Sequence, residues 1–490
     1  MTNVVLVLLD DAGAGDAGVL GHPILRTPHI DAFARSGVRF SAAYAGAPNC
    51  SPSRAALLTG RAPFRTGVYD FLSKRSGSMH LAAGETTIAA LLRASGYQTL
   101  HLGKWHLSRR GAGHGFAPPH FGFDHSNESY APASQLVAAF GGWLRGGRRR
   151  GAPFFAYLAL WEPHEPVQLW SPPAFRRLYE GSGGDASGGG DSISGDADLA
   201  ARGRQHPAGG GRCVWRVARA PPRVYYGCLS AVDTAIGRLL SELGAAGVRE
   251  DTLVALASDN GPEHRGRHSW GSSGGLRGAK GYVYEGGIRV PLFLQWPAFT
   301  RGRSATVQTP VHLWDLLPTL VEAAGVPLDA DTRGELDGVS LLPLAAAALA
   351  GDERSTRPLG RRRPLWWAMH RGRGGMQYAL REGEWKLLAG YGDTPSRSHG
   401  PAPGGEVTEW LRACELGRAE LYRVSHDPTE AVDLAAREPA RTARMRRRLQ
   451  LLVRDATARG PRVVSWSERS PACPRRNARL NVTELCCREG

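Results

Sequence analysis

An α/β fold is predicted: a mixed, mostly parallel sheet flanked by helices, followed by a smaller C-terminal α+β domain with an antiparallel sheet. Three observations point to it. Residues 3–9 (NVVLVLL), 153–161 (PFFAYLALW) and 252–258 (TLVALAS) are continuous apolar runs ending in polar residues, the pattern of strands buried on both faces of a parallel sheet. Helical spacing lies between them, most clearly at 225–247, which a glycine closes. Beyond residue 363 the texture changes to short strand-like runs, with a hairpin turn at Glu382-Gly383. A chain of 490 residues has ample length for a large core and for two or three domains, and a hydrophobic fraction of 42% is that of a globular protein.

Taken in order, the first run delivers Asp10 and Asp11 to its C-terminal end, the edge where open α/β sheets bind ligands. Adjacent carboxylates repel each other, so a hard divalent cation is a candidate there; standing alone, the pair would read as a helix cap or solvated turn. A helix over 27–36, a short strand over 38–45, a cysteine-containing loop leading into a helix, and a helix over 86–94 follow. Residues 96–107 (GYQTLHLGKWHL) read as a strand ending on Lys104 and His106, alternate positions of an extended chain that face one site. Residues 153–166 repeat the layout and end on His164, which Pro163 and Pro166 hold at a fixed angle. The run over 252–261 ends on Asp259 and Asn260. With Asp10 and Asp11 these make four oxygen donors from two strand ends, suited to calcium and acceptable for magnesium.

The expected organisation is a large domain over 1–345, a linker over 346–363, a small C-terminal domain over 364–458 ending in a basic helix, and an unassigned tail over 459–490. Within the first domain, the Gly/Ser/Asp-rich stretch 181–211 cannot bury enough apolar area to order itself and reads as a flexible surface insertion.

Residues 50–61, CSPSRAALLTGR, organise the rest. Cys50 is followed at fixed offsets by Pro52, Ser53 and Arg54, then by an apolar run ending in Thr59, Gly60 and Arg61. A buried structural cysteine beside an ordinary helix is the plain reading. The segment nevertheless resembles the signature of the formylglycine-dependent sulfatases, in which the cysteine is oxidised after translation to 3-oxoalanine (Cα-formylglycine). The chemistry suits an ester of sulfate. A hydrated aldehyde has two hydroxyls on one carbon, one to attack sulfur and one whose deprotonation expels the sulfate, so that a difficult step is divided. A helix onset and Arg54 both favour an anion there.

The resemblance extends over roughly residues 3–300, through GKWHL, PHEP, SDNG and the segment 280–291 around Lys280, and to LYRVSHDPTEAVDL in the C-terminal domain. It implies an alkaline-phosphatase-like fold of the arylsulfatase A and N-acetylgalactosamine-6-sulfatase branch. It further implies that Asp10, Asp11, Asp259, Asn260 and the modified Cys50 surround calcium, that Arg54 and Lys104 hold the aldehyde hydrate and sulfate, and that Lys280 binds sulfate. By the same resemblance His106 serves the elimination and His164 protonates the leaving alcohol. The implied partners are a sulfated small molecule or glycan and a formylglycine-generating enzyme. A sulfate-contacting serine of the family has no clear counterpart: Ser126 and Ser129 are the nearest. His264, His268 and Trp270 are candidates for substrate choice. Two rivals remain at this point, a phosphonate or phosphodiester hydrolase with the same cysteine signature and a catalytically silent sulfoglycan-binding protein.

The formal charge of +16 suits anionic partners, but no zinc-finger spacing or basic tract with interleaved aromatics supports nucleic acid. No apolar run reaches transmembrane length. The opening MTNVVLVLLDD lacks the basic leader of a signal peptide, so either a cytosolic location or a longer natural N-terminus is expected, the latter with a secreted, periplasmic or lysosomal protein. Besides Cys50, six cysteines (213, 228, 414, 473, 486 and 487) could form disulfides whose pairing is left open. Only four of the 61 basic residues are lysine. Lys104 and Lys280 fall in the motifs, whereas Lys74 and Lys386 are expected to be replaceable by arginine.

Overall fold

The computed structural model describes residues 1–72, 80–82, 84–108, 117–181, 222–264, 270–352, 364–373, 375–391 and 416–459. The stretch 182–211 of the expected insertion, Lys74, His268 and five of the seven cysteines lie outside them. Cys228, one of the six expected to be available for disulfides, is a buried free thiol.

Ten strands belong to the large domain: β1 (Asn3–Leu9), β2 (Val38–Phe40), β3 (Ala43–Tyr44), β4 (Gln98–Gly103), β5 (His125–Asn127), β6 (Phe154–Ala159), β7 (Thr252–Ser258), β8 (Leu292–Gln295), β9 (Ala305–Val307) and β10 (Val311–His312). Eight of them form one sheet in the order β5-β4-β6-β1-β7-β8-β2-β9. β1 runs parallel to β6 and to β7, with Val5 opposite Ala156 on one side and Val254 on the other. β8 alone opposes its neighbours, being antiparallel to β7 and β2. Every residue of β1, β6 and β7 is buried, which explains runs with no polar alternation. The two sheet faces pack separate apolar clusters. Val4, Leu6 and Leu8 join the helix Cys50–Thr59, while Val5, Val7 and Leu9 meet the helices Pro28–Arg35 and Pro222–Ala245.

Two local expectations change. Residues 38–45 are not one strand: β2 joins the main sheet, whereas β3 pairs with β10 in a separate two-stranded ladder. The strand expected over 96–107 stops at Gly103, whose φ is 96°. A side chain there would meet the Ala159 carbonyl oxygen at 2.1 Å, so glycine lets the chain turn away beside β6. Lys104 and His106 therefore do not share a strand face, and His106 is itself left-handed at φ 55°.

The helix Leu342–Leu349 packs Leu344, Ala345 and Leu349 into the main core, so the first residues of the expected 346–363 linker are helical. The C-terminal strands β11 (Leu365–Gly372), β12 (Gly375–Glu382), β13 (Trp385–Tyr391) and β14 (Leu416–Arg423) form an antiparallel sheet in sequence order. Glu382 pairs with Trp385 around the expected turn, and the helix Pro439–Arg459 lies against this sheet through Met445, Leu449 and Val453. That apolar cluster also contains Tyr44, Val283 and Ile288, so the C-terminal sheet packs against the large domain. The Trp367 indole donates to the Ala45 carbonyl at 2.8 Å, fixing β11 against the loop that leads to Cys50. Lys386, expected to be freely exchangeable, is fully buried. Its ammonium lies between two buried carboxylates, 3.0 Å from Glu285 and 2.8 Å from Glu430, so Lys386→Arg is not expected to be silent.

Candidate active site

Four neighbouring strands converge at one edge of the sheet. β1 presents Asp10 and Asp11, β7 presents Asp259 and Asn260, Lys104 leaves β4 through the Gly103 turn, and the loop after β6 carries His164. Asp11 adopts φ 70°, uncommon for a residue with a side chain. Its N–H donates to Asp259 Oδ1 at 3.2 Å, tying the two strand ends together.

Cys50 opens the helix Cys50–Thr59 and is 3% exposed. The other motif residues build this helix and its surroundings. Ser53 Oγ accepts the Gly46 N–H at 2.9 Å, Thr59 Oγ1 donates to the Ala55 carbonyl at 2.7 Å, and Gly60 closes the helix at φ 66°. Arg61 reaches Glu85 at 2.7 Å. Arg54 points inward and is fully buried. Its Nε donates to Asp259 Oδ2 at 2.8 Å, its Nη1 donates to the Lys104 carbonyl at 3.0 Å, and its Nη2 lies 3.6 Å from Asp10 Oδ2.

Each remaining carboxylate has a cation. Lys104 Nζ is paired with Asp10, and Lys280 Nζ lies 2.7 Å from Asp11 Oδ2. His164 Nδ1 donates to the Glu165 carbonyl at 2.6 Å, leaving Nε2 facing Asp11 Oδ2 at 3.8 Å. Ligand atoms of Asp10, Asp11, Cys50 and His164 all fall within 4.8 Å of one another. His106 is oriented differently: its Nε2 donates to the Leu72 carbonyl at 2.9 Å, and its buried Nδ1 has no hydrogen-bond partner.

The donor set fits a hard cation. Asp10 Oδ1 and Asn260 Oδ1 are buried without hydrogen-bond partners, which is costly for oxygen acceptors. Asn260 Nδ2 is committed to Asp11 Oδ1 at 2.7 Å and to the Gly261 carbonyl at 2.8 Å, so its oxygen is the free end of the amide.

Electrostatics separates the two imidazoles. Burial opposes a charge on His164, but Asp10 and Asp11 outweigh it and raise its pKa to about 9. Burial, reinforced by Lys104, holds His106 well below the ordinary histidine value. Burial also pushes the Cys50 thiol up, yet Lys104, Lys280 and a hydrogen bond from His164 lower it on balance. The centre thus combines an anion-favouring helix onset, three fixed cations and a set of hard oxygen donors.

Ser126 and Ser129 make other contacts. The Ser126 hydroxyl meets His101 Nδ1 at 3.0 Å, and the Ser129 carbonyl accepts the Trp161 indole N–H at 2.8 Å. Of the residues considered for substrate choice, His264 Nε2 meets the Gly271 carbonyl at 3.2 Å and Trp270 packs against an apolar cluster. Trp161 was not singled out from the sequence; its ring centroid lies 5.3 Å from Lys104 Nζ. The aromatic residue just beyond the β6 run was the available signal.

Fold and centre together define an α/β protein that gathers hard oxygen donors and three cationic side chains at one sheet edge. The chain belongs to the sulfatase family, whose Sulfatase profile matches residues 2–326, and is a sulfuric ester hydrolase. It is 36% identical to arylsulfatase A of Homo sapiens over 369 residues, covering 72% of this chain and 69% of that protein. It is 29% identical to N-acetylgalactosamine-6-sulfatase of Mus musculus over 389 residues, covering 70% of this chain and 65% of that protein. The crystal structure of Ps i-CgsB in complex with k-i-k-neocarrahexaose shares the fold, with a TM-score of 0.70 and 23% identity over 94% of both chains. Among the described residues no helix is long and apolar enough to cross a membrane.

Proposed function

We propose that this chain hydrolyses sulfate esters of sugars or glycans, and aryl sulfates, to the alcohol and inorganic sulfate. In this reading Cys50 is matured to 3-oxoalanine by a formylglycine-generating enzyme, and calcium is held by Asp10, Asp11, Asp259, Asn260 and the modified residue 50. The observation that carries the proposal is Cys50 buried at a helix onset, its sulfur within 4.8 Å of ligand atoms of Asp10, Asp11 and His164. The hydrated aldehyde supplies the attacking and the expelling hydroxyl, and the cation supplies positive charge for the sulfate oxygens. Arg54, Lys104 and Lys280 hold the anion and the hydrate in place. His164, with its Nε2 facing the centre, gives a proton to the departing alcohol; His106, with its buried Nδ1 unpaired, takes one in the elimination.

Mass spectrometry of the tryptic peptide FSAAYAGAPNCSPSR, from protein made beside a formylglycine-generating enzyme, is expected to show loss of the thiol and gain of an aldehyde at Cys50. Quantitative alkylation of Cys50 in fully active protein would refute the maturation. On the same preparation, aryl sulfate turnover faster than aryl phosphate turnover separates a sulfatase from a phosphonate or phosphodiester hydrolase. Saturable glycan binding without sulfate release would indicate a silent binding protein.

The metal assignment has its own test. Asp259→Asn keeps the side-chain shape but removes a charge from the donor set, so bound calcium, measured by elemental analysis of purified protein, is expected to fall to a small fraction of wild type. Full calcium occupancy in a folded Asp259→Asn protein would remove Asp259 from the site.

A further inference from the structure

The segment that carries Lys280 is held at both ends by one residue of the C-terminal domain. Glu430 follows β14, is fully buried and adopts φ 53°. Its carbonyl accepts from Arg277 Nη1 at 2.9 Å, and its carboxylate Oε2 accepts the Glu285 N–H at 2.7 Å. Lys280 lies between these two contacts. On the other carboxylate oxygen, Lys386 Nζ sits at 2.8 Å, and the same ammonium is 3.0 Å from Glu285 Oε1. Glu285 Oε2 in turn accepts from the Tyr44 hydroxyl at 2.6 Å and lies 3.3 Å from Arg289 Nη1.

Inside the clamp the backbone is joined to the catalytic centre. The Lys280 N–H donates to the Pro262 carbonyl at 3.0 Å, just beyond the metal-site strand end. The Gly281 N–H donates to the Pro48 carbonyl at 2.7 Å, two residues before Cys50, and the Gly286 N–H closes back on Arg277 at 2.6 Å. A Cβ on Gly287 would lie 1.9 Å from the Tyr282 carbonyl oxygen, so this loop has little room to relax sideways. One compact ammonium, with three donors, meets two buried carboxylates at once. Without it, Glu285 would keep Arg289 at 3.3 Å, but Glu430 would lose the ammonium that compensates its buried carboxylate.

We infer that Lys386 and Glu430 are positioning residues for Lys280: they hold residues 277–285 so that the Lys280 ammonium stays on Asp11, and thereby make the C-terminal domain part of the anion-handling centre. The inference rests on the reading of Lys280 as a sulfate contact. It also predicts that Lys386→Arg behaves like Lys386→Met, because a larger planar guanidinium does not reproduce the ammonium's simultaneous contacts of 3.0 Å to Glu285 and 2.8 Å to Glu430.

The test compares full-length, matured wild type with Glu430→Gln, Lys386→Met and Lys386→Arg, using Leu421→Ala as a control that weakens the same domain from its apolar core. Glu430→Gln preserves volume and keeps the test decisive if the lysine variants do not fold. In hydrogen exchange on the resting protein, peptides spanning 277–289 are expected to lose protection at least tenfold in Glu430→Gln, while those spanning 3–11 and 252–260 keep theirs. In steady-state kinetics, KM for an aryl sulfate and the inhibition constant of inorganic sulfate are expected to rise at least tenfold, beyond any change in Leu421→Ala of matched thermal stability. Unchanged exchange over 277–289, or kinetic effects equal to those of the control, overturns the inference. The exchange measurement needs no turnover, so a wild-type protein inactive on sulfate esters would overturn the proposed function while the clamp is still judged separately.

Discussion

Cys50→Ser is expected to lower multiple turnover of an aryl sulfate by at least about 10⁴-fold, roughly 5.4 kcal/mol of transition-state stabilisation, while leaving the fold intact. Serine is close to cysteine in size and occupies the same buried helix onset, so neither packing nor the surrounding charges need change. Its hydroxyl sits among Lys104, Lys280 and Arg54, the groups proposed to hold the anion, and is able to accept a sulfuryl group. What serine lacks is a second oxygen on the same carbon, so the resulting sulfate ester has no internal route to release. The expected signature is therefore loss of steady-state rate together with sulfate retained on the peptide 40–54 by mass spectrometry. Sustained turnover by Cys50→Ser at the wild-type rate would show that the matured residue is not the group that releases sulfate.

The parts of this centre legible in the sequence are those set by short-range pattern. Asp10, Asp11, Asp259 and Asn260 end apolar runs whose lack of alternation already places them in a doubly covered sheet, and the parallel pairing of β1 with β7 brings both pairs to one edge. Lys104 and His106 were grouped for the wrong reason. The period-two argument assumes an extended chain, and Gly103 ends the strand one residue before Lys104. His106 instead follows a left-handed turn and hydrogen-bonds to the carbonyl of Leu72, a residue from a distant loop. Lys386 was misread because its partners Glu285 and Glu430 are distant in sequence, and no local spacing connects them. Burial of a charged group depends on which surfaces the tertiary fold presses together. Lysine scarcity was the available clue, and it applied to Lys386 as much as to the motif lysines.

Lys104→Arg and Lys280→Arg are each expected to reduce turnover at least a hundredfold, about 2.7 kcal/mol, although both preserve charge. Lys104 is 2% exposed, paired with Asp10 and set near the ring of Trp161, while its own carbonyl receives Arg54. A guanidinium in that place would crowd Arg54 and carry its charge at a different reach. Lys280 is held on Asp11 at 2.7 Å by a loop fixed at Arg277 and Glu285, so a longer planar head has no backbone freedom to compensate. The two differ from Lys386→Arg in what should fail. Substitution at Lys104 or Lys280 alters a group proposed to touch the reacting anion, and kcat should fall in a protein whose segment 277–289 keeps its exchange protection. Substitution at Lys386 should loosen that segment first and raise KM as a consequence. Steady-state kinetics on an aryl sulfate, with calcium content and thermal unfolding measured on the same samples, distinguishes the cases. Near-wild-type kcat in a folded, calcium-loaded Lys104→Arg or Lys280→Arg protein would mean that charge alone is required at that position, and the argument from ammonium geometry would fail there.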